Sequence, residues 1–277
     1  MEFAKNNALA YYPEGEDKEE KITHLCISAH QDDIELMAYH GIVECFGQKE
    51  RWFAGVVVTD GSGSPRSGIY ADYTDEEMKE VRVKEQMKAS IVGEYGAQYM
   101  LAFSSSEVKY SGDAVVNDIY KILKATKPKF VYTHNLADKH DTHVAVALRT
   151  IQALQMLEDD EKPIMLFGCE VWRSLDWVND KEKLVLDVSG HPNLSRALVS
   201  VFDSQICGGK RYDLACDGRR LANATYYESH STDESDMTAY AVNMTALMKK
   251  GANPNDFINK YIDSFKQDVN DRITKFF

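Results

Sequence analysis

The stretch CISAHQDDIELM, residues 26–37, places a histidine and two adjacent carboxylates where an apolar run gives way to a helix-like pattern. Adjacent carboxylates repel each other and contribute nothing to a core, and helix capping explains only one of them, so a bound cation explains the group better. If the helix begins just after His30, then His30 and Asp33 share one side of its first turn. Asp32 is rotated by about 100° from Asp33. The segment therefore predicts one nitrogen ligand, one oxygen ligand and one free carboxylate.

A second cluster, THNLADKHDTHVAV at 133–146, holds three of the eight histidines of the chain. Its candidate groups are His134, Asp138, His140, Asp141 and His143. One histidine from this cluster, added to His30 and Asp33, makes a His₂Asp set with an open fourth position, which is typical of catalytic rather than structural zinc. Histidine and carboxylate donors suit Zn²⁺, and Fe²⁺, Co²⁺ or Mn²⁺ accept the same donors.

Alternating strand and helix patterns position the two clusters. Short apolar runs predict strands at 22–29, 52–64, 97–103 and 129–134, and helix-like patterns lie at 34–46, 74–96, 114–127 and 143–157. Further strands are predicted at 162–172 and 183–189, in a partly antiparallel region. This alternation favours an α/β fold with a Rossmann-like, mostly parallel sheet and helices on both faces. Ligands of such sheets bind at the carboxyl ends of the strands, where both clusters lie.

The domain organisation is predicted from length and composition. Residues 1–20 are polar and acidic, which indicates a flexible lead-in. Residues 21–277 are of a size that commonly forms a single α/β unit. Within that unit, 191–277 is predicted to be mainly helical, with amphipathic helices at 236–251 and 254–276.

Composition excludes several classes of partner. The net charge is −12, from 44 acidic and 32 basic residues, and there is no long basic run, so neither a nucleic acid nor an anionic membrane is expected. The sequence contains neither a run of 18 apolar residues nor an apolar signal segment, which predicts a cytoplasmic protein without a membrane span. Five dispersed cysteines predict free thiols in a reducing compartment. A homo-oligomer stays open, because no self-complementary surface stands out.

Two motifs connect the chain to a known family. AHQDDIE and HDTH resemble the AHPDD and HPDH signatures of the LmbE-like (PIG-L) family of zinc-dependent N-acetylglucosamine deacetylases. The resemblance covers most of the chain from about residue 22, since VVVTDGSGS and VRVKEQMKAS are similar to the TDG segment and the RxxE helix of that family. EVWRSLDW, LDVSG and FDSQ resemble its later elements.

The resemblance implies a function and roles for particular residues. The implied reaction is removal of the N-acetyl group from a small N-acetylglucosamine-type sugar or glycoconjugate by attack of a water bound to one Zn²⁺ per chain. Asp32 would be the general base, and His140 would stabilise the oxyanion or protonate the leaving amine. Arg82, in the RxxE helix, would contact the sugar or position the site. The implied zinc ligands are His30, Asp33 and His143.

The sequence departs from the family pattern at three places. Gln31 stands where the family usually has proline, which loosens the turn but removes no ligand. Thr142 replaces the aspartate of HPDH, so the partner that tunes a neighbouring histidine is missing, and Asp141 is one residue away from that position. The segment LAFSSSEV offers serines where the family often has an aspartate after the third strand.

Other polar residues are weaker candidates. His134 is expected to be a strand-end histidine beside the ligands, and His40 a packed helix histidine. Asp60, in TDGSGS, is either an acceptor near the site or an ordinary loop residue. Glu228 and His230 are considered as residues that close the pocket from the C-terminal region.

Three other readings of the same residues stay open. A Rossmann-like nucleotide-binding module would need a glycine-rich turn after the first strand, and SAHQDDIELM has no glycine. A metal-dependent phosphohydrolase could use His140 and Asp141 as an HD pair, although such pairs belong, by resemblance, to all-helical folds. A catalytically impaired family member that binds sugar is suggested by Thr142. The sequence does not identify the sugar, the pathway or the physiological metal.

Overall fold

One eight-stranded sheet organises the part of the chain that the structure, a computed structural model, describes: residues 1–15 and 17–277. Glu16, in the predicted lead-in, lies outside the described residues. The strands are β1 (Leu9–Tyr11), β2 (Ile22–Ser28), β3 (Trp52–Thr59), β4 (Ala97–Phe103), β5 (Phe130–His134), β6 (Met165–Cys169), β7 (Lys183–Asp187) and β8 (Thr238–Asn243). The helices are α1 (Asp33–Met37), α2 (Tyr39–Cys45), α3 (Asp75–Val92), α4 (Ser105–Tyr110), α5 (Asp113–Thr126), α6 (Asp141–Gln155), α7 (Pro192–Ser200), α8 (Asp203–Ile206), α9 (Tyr212–Tyr226) and α10 (Pro254–Phe276).

The strand order is β1-β4-β3-β2-β5-β6-β8-β7, and the five strands from β4 to β6 run parallel. β1, β8 and β7 pair antiparallel with their neighbours. On β2, Leu25 and Ile27 join one buried apolar cluster while Cys26 joins the other, because successive side chains point to opposite faces. Both faces are covered, as is usual for parallel strands with continuous apolar sequences. The predicted α/β fold with a mostly parallel sheet is confirmed.

Strand β8 corrects the prediction for the C-terminal region. A helix was predicted at 236–251, but Thr238–Asn243 forms a strand between β6 and β7, followed by a short 3₁₀ turn at Thr245–Met248. Five consecutive residues of β8 are buried. A short run that is apolar on both faces shows no periodicity by which a buried strand can be told from a helix. The predicted helix is wrong for that reason.

Strand β1 lies within the predicted lead-in. Leu9–Tyr11 pairs antiparallel with β4 at the edge of the sheet. The hydroxyls of Tyr12 and Tyr99 both donate to the Glu19 carboxylate, at 2.9 and 2.7 Å. These contacts hold the described part of residues 1–20 against the body of the protein.

Two further expectations concern cysteines and membranes. Cys26, Cys45 and Cys169 are buried, and all five cysteines are free, as predicted. Among the described helices, none combines the length and apolar character needed to cross a bilayer.

The topology brings the two polar clusters together. β2 and β5 are adjacent and parallel, with Cys26 opposite Tyr132, so their carboxyl ends lie side by side. α1 begins at Asp33, shortly after β2 ends, and α6 begins at Asp141, seven residues after the last residue of β5. The loops that carry the two clusters therefore meet at one edge of the sheet.

Candidate active site

Three donor atoms from the two clusters converge at the carboxyl edge of the sheet. His30 Nδ1 lies 3.2 Å from Asp33 Oδ2 and 3.2 Å from His143 Nε2. His143 Nε2 lies 3.3 Å from Asp33 Oδ2, which closes the triangle. Ligand bonds of about 2.0–2.1 Å in a tetrahedral zinc site place donors about 3.3–3.4 Å apart, so the separations within this triangle fit one such ion.

The charge state of the triangle also suits a cation. Burial alone would raise the pKa of Asp33, but the neighbouring imidazoles of His143 and His30 hold it well below its usual value. Asp33 therefore stays a carboxylate, which is the form that binds metal. The side chain of Asp33 is 3% exposed and that of His143 is fully buried, so water does not screen the carboxylate from its neighbours.

Asp138 positions His143 from the side opposite the triangle. Its Oδ2 lies 3.6 Å from His143 Nδ1, and the same carboxylate accepts the backbone N–H groups of His140, at 3.0 Å, and of Trp172, at 3.1 Å. A carboxylate behind a metal-binding imidazole fixes its tautomer and orientation. Asp141 is exposed at the start of α6, so Asp138 supplies the carboxylate for which Asp141 was considered. Sequence reasoning placed Asp138 in the cluster but gave it no role.

His134 supports the site from the end of β5. Its Nε2 accepts the backbone N–H of Ala29 at 2.9 Å, which ties β5 to the loop after β2. Its ring stacks on that of His143, with centroids 3.9 Å apart. Because the single lone pair of Nε2 accepts from Ala29, although this atom lies 3.6 Å from Asp33 Oδ2, we describe His134 as a buried neighbour of the triangle, in line with the expected strand-end role.

Asp32 lies beside the triangle in a strained backbone conformation. Its φ is +93°, which a non-glycine residue adopts only when the surrounding structure enforces it. Arg82 supplies that enforcement, because its guanidinium donates to the Gln31 carbonyl and, at 2.9 Å, to Asp32 Oδ2. Burial and the Asp33 carboxylate raise the pKa of Asp32 to about 6, although Arg82 acts in the opposite direction. The side chain is therefore a base whose pKa lies close to neutral pH.

Both Nη groups of Arg82 donate to protein groups, whereas its buried Nε has no hydrogen-bond partner among the described residues. Arg82 is 1% exposed, and it also donates to Glu85 Oε2 at 2.8 Å. Glu85 in turn accepts the backbone N–H and the hydroxyl of Ser204, at 2.7 and 2.8 Å, and so joins α3 to the start of α8. Of the two roles expected for Arg82, these contacts support positioning, and contact with a sugar stays a prediction.

His140 stands over the triangle on the cleft side. Its ring centroid lies 5.0 Å from that of His30 and 4.5 Å from that of His143. Burial and these two imidazoles lower the pKa of His140, so its ring is neutral at pH 7 and has one N–H to donate. Thr142, which replaces the family aspartate, is buried and offers no charge to His140.

His30, Asp33, Asp32 and His140 line a cleft of about 520 Å³, whereas His143, the third member of the triangle, is fully buried. The loop after β3 makes one wall, where Gly61 has φ +78° and a Cβ would lie 2.6 Å from Gln31 Oε1. Trp172 and Tyr212 make the opposite wall and also line an adjoining cavity of about 300 Å³.

The weaker candidates fall in different places. Asp60 lines the cleft and accepts from the Ser62 backbone N–H at 3.1 Å. His40 packs on helix α2 with its Nδ1 3.0 Å from the Tyr132 hydroxyl, as expected for a packed histidine. Glu228 and His230 lie in an exposed loop after α9, and Glu228 lines a separate surface pocket. The structure does not bring Glu228 and His230 to the cleft.

The fold and the site define a Rossmann-like α/β protein with a His₂Asp donor set and a free carboxylate at the carboxyl edge of its sheet. Residues 25–154 match the family model described as PIG-L: GlcNAc-PI de-N-acetylase. The resemblance to the PIG-L (LmbE-like) family read from the sequence is confirmed over these residues, which make up just under half of the chain. Among curated proteins, no significant match is found.

Solved structures with the same fold include enzymes of more than one kind. An N,N'-diacetylchitobiose deacetylase from Pyrococcus horikoshii is 17% identical, with a TM-score of 0.63 over 85% of this chain and 89% of that one. GalB, the 4-carboxy-2-hydroxymuconate hydratase from Pseudomonas putida KT2440, is 16% identical, with a TM-score of 0.61 over 81% and 96%. A zinc-inhibited form of teicoplanin deacetylase is 15% identical, with a TM-score of 0.54 over 80% and 98%. The family match and these deacetylases support a deacetylase, an enzyme of the hydrolase class.

Proposed function

We propose that this protein is a metal-dependent hydrolase that removes the N-acetyl group from an N-acetylglucosamine-type sugar or glycoconjugate. The observation that carries the proposal is the triangle of His30, Asp33 and His143 donors, with the free Asp32 carboxylate beside it in an open cleft. The family match over residues 25–154 supports the same reaction.

The donor triangle would hold the metal, and Zn²⁺ is the ion we assign to it. Nitrogen and carboxylate donors at these separations suit zinc, and no thiolate is among them. When bound, such an ion polarises the acetyl carbonyl and makes water acidic enough to attack near neutral pH. Asp138, which faces the other ring nitrogen of His143, would orient that imidazole for metal binding.

Asp32 acts as the general base in this proposal. Arg82 holds its Oδ2, and we assign Oδ1 to the attacking water. As water adds to the acetyl carbon, one of its protons passes to Asp32. When the carbon–nitrogen bond breaks, that proton returns towards the leaving amine and acetate is released. A pKa of about 6 suits both steps, because the group can accept and return a proton near pH 7.

His140 completes the set of catalytic groups. A neutral imidazole directed into the cleft can donate its N–H to the oxygen that becomes negative as water adds, a contact that contributes a few kcal/mol per donor (about 3). Burial and the imidazoles of His143 and His30 lower the pKa of His140, so we assign it to oxyanion stabilisation rather than to delivery of a proton as an imidazolium.

The cleft fits a sugar rather than a polymer surface. Its volume of about 520 Å³ is in the range of small-molecule sites, and the adjoining cavity behind Trp172 and Tyr212 leaves room for a substituent on the sugar. Lys109 and Lys210 also line the cleft, so polar groups of the substrate meet cations as well as the aromatic wall.

The proposal is tested by acetate release from a panel of N-acetylglucosamine conjugates, measured on protein with known metal content. Acetate formed together with free amine, dependent on the added metal, is the expected result. The same preparations are offered phosphoesters and an unsaturated carboxylic acid, because phosphate release or water addition to a double bond would favour the phosphohydrolase or a hydratase instead. Metal bound with turnover on none of the panel would favour an impaired family member.

A further inference from the structure

Two side chains of helix α3 bind a single peptide group in the turn before α1. The Arg82 guanidinium donates to the carbonyl of Gln31, and Gln86 Oε1 accepts the backbone N–H of Asp32 at 3.3 Å. The carbonyl and the N–H belong to the same peptide, the one that joins Gln31 to Asp32. Arg82 and Gln86 lie four residues apart, so they project from one face of α3. We refer to this pair of residues as the α3 clamp.

The orientation of this peptide decides the conformation of Asp32. The φ of Asp32 is +93°, a conformation that is costly for any residue other than glycine. The carbonyl and the N–H of a trans peptide point in opposite directions. If the peptide turned over, its carbonyl would face Gln86 Oε1 and its N–H would face the Arg82 guanidinium. An acceptor would then meet an acceptor and a donor would meet a donor, so the α3 clamp selects one orientation.

The amide of Gln86 is itself oriented by its neighbours. Gln86 is fully buried, and its Nε2 donates to Glu35 Oε1 at 2.9 Å and to Gln98 Oε1 at 3.2 Å. An exchange of the amide nitrogen and oxygen would set Gln86 Oε1 against these two acceptors. The hydroxyl of Tyr95 also donates to Glu35 Oε1, at 2.8 Å, which keeps that oxygen in place. The acceptor that meets the N–H of Asp32 is therefore fixed from the core of the protein.

Loss of the Gln86 amide would act on the Asp32 carboxylate. Asp32 is only 6% exposed, so its N–H would be left buried without this acceptor. A peptide that turned over in response would move the carboxylate away from Arg82, which donates to Asp32 Oδ2 at 2.9 Å. We infer that Gln86 is a positioning residue, which keeps the peptide before Asp32, and with it the carboxylate, in the orientation that the reaction requires. The role of Asp32 rests on the proposed function, whereas the contacts of the α3 clamp do not.

Gln86→Met tests the inference, because methionine has a similar length but no acceptor for the N–H of Asp32. We expect kcat for acetate release to fall by about 10–100-fold while KM stays within about twofold, since a catalytic group misplaced by about 1 Å can cost about 10²-fold. The metal content should not change, because Gln86 bonds to none of the three donor side chains of the triangle.

The matched control is Gln155→Met, the same substitution at the far end of α6 from the site. It removes an amide that donates to the carbonyls of Leu247 and Ala252, and it should keep kcat within a few-fold of the wild type. Gln86→Asn is the second variant in case Gln86→Met does not fold. Its amide is one methylene shorter and withdraws Oε1 from Asp32, so it should reproduce the loss of kcat.

Amide hydrogen exchange, resolved to single residues, is a readout that does not depend on the reaction. In Gln86→Met or Gln86→Asn the amide of Asp32 should exchange about 3–10-fold faster than in the wild type, the usual consequence of one lost hydrogen bond. The amide of Ala29, which donates to His134 Nε2 at 2.9 Å, is the internal reference and should not change.

The outcomes separate this inference from the proposed function. A kcat close to that of an active wild type, a rise in KM at constant kcat, or unchanged exchange at Asp32 would each overturn the role of Gln86. Equal acceleration at Asp32 and Ala29 would also overturn it, because the whole region would then have loosened. A wild type that releases no acetate would contradict the proposed function, and exchange at Asp32 would still decide whether Gln86 holds the peptide.

Discussion

Two histidines six residues apart, on β2 and just beyond its end, show how position in the sheet decides what the same side chain does. His24, near the amino end of β2, is 3% exposed, and its ring stacks on Phe130 with centroids 4.8 Å apart. Burial, with the nearby charges of His40 and Arg51, lowers the pKa of His24 to about 3, so it is a neutral core residue. His30, past the carboxyl end, faces Asp33 and His143 instead.

The difference arises because parallel strands all end at the same edge of the sheet. The loops that follow them therefore meet at that edge, although they come from distant parts of the chain. At the carboxyl edge, the loops after β2 and β5 place their polar groups in contact. Near the amino end, His24 meets Thr23, with 2.9 Å between Oγ1 and Nδ1, and aromatic rings. The predictions below test this contrast, from the largest expected effect to the smallest.

Asp32→Asn should remove the base while leaving the donor triangle intact. We expect kcat to fall by about 10²–10⁴-fold, the usual contribution of a general base, with unchanged metal content. Acetate release measures kcat, and metal analysis on the same preparation measures the metal content. Asp141→Asn, which alters an exposed carboxylate at the start of α6, is the matched control and should retain kcat within a few-fold. Full activity of Asp32→Asn would contradict the assignment of Asp32 as the general base.

Arg82→Lys distinguishes the two roles expected for this residue. Lysine keeps the charge but loses the fork that holds both the Gln31 carbonyl and the Asp32 carboxylate. If Arg82 positions Asp32, kcat should fall by about 10–100-fold while KM changes little, since misplacement of a catalytic group by 1 Å can cost about 10²-fold. A rise in KM at constant kcat would instead assign Arg82 to the sugar.

Asp138→Asn should weaken metal binding without removing a ligand. Loss of the carboxylate behind a ligating histidine typically lowers metal affinity by about 10–100-fold, and we expect that range here. Competition with a chelator measures the affinity. An affinity equal to that of the wild type would show that His143 does not depend on Asp138.

His24 should make stability pH-dependent away from the site. Its pKa is about 3 in the folded protein and about 6.5 in the unfolded chain, so between these values the unfolded chain binds more protons. The contribution of neutral His24 to the free energy of unfolding is fully present above pH 6.5 and is lost as pH falls. At pH 5 the loss is about 2 kcal/mol. Urea unfolding of the wild type and of His24→Gln, at pH 5 and above pH 6.5, measures this loss. Equal loss in both proteins would contradict the buried neutral state of His24.

Much of the site was accessible from the sequence because the two clusters are local patterns. His30 and Asp33 lie three residues apart, just before and at the start of α1, and the α/β alternation predicts that the loops carrying them and His143 share the carboxyl edge, although it does not give the strand order that places β5 next to β2. In the structure their donor atoms lie 3.2–3.3 Å apart, while their role as ligands stays a proposal.

The missed features depend on contacts that spacing does not encode. Asp138 reaches His143 because a loop folds back before α6, and no periodicity marks that turn. β8 was read as a helix because a strand buried on both sides shows no alternation.

The most direct measurement is the metal content of three proteins purified alike: wild type, His143→Gln and His24→Gln. The account predicts about one ion per chain in the wild type and in His24→Gln, and loss of that ion in His143→Gln. A wild type that takes up no divalent ion, or His143→Gln that binds it as tightly as the wild type, would contradict a site shared by His30, Asp33 and His143.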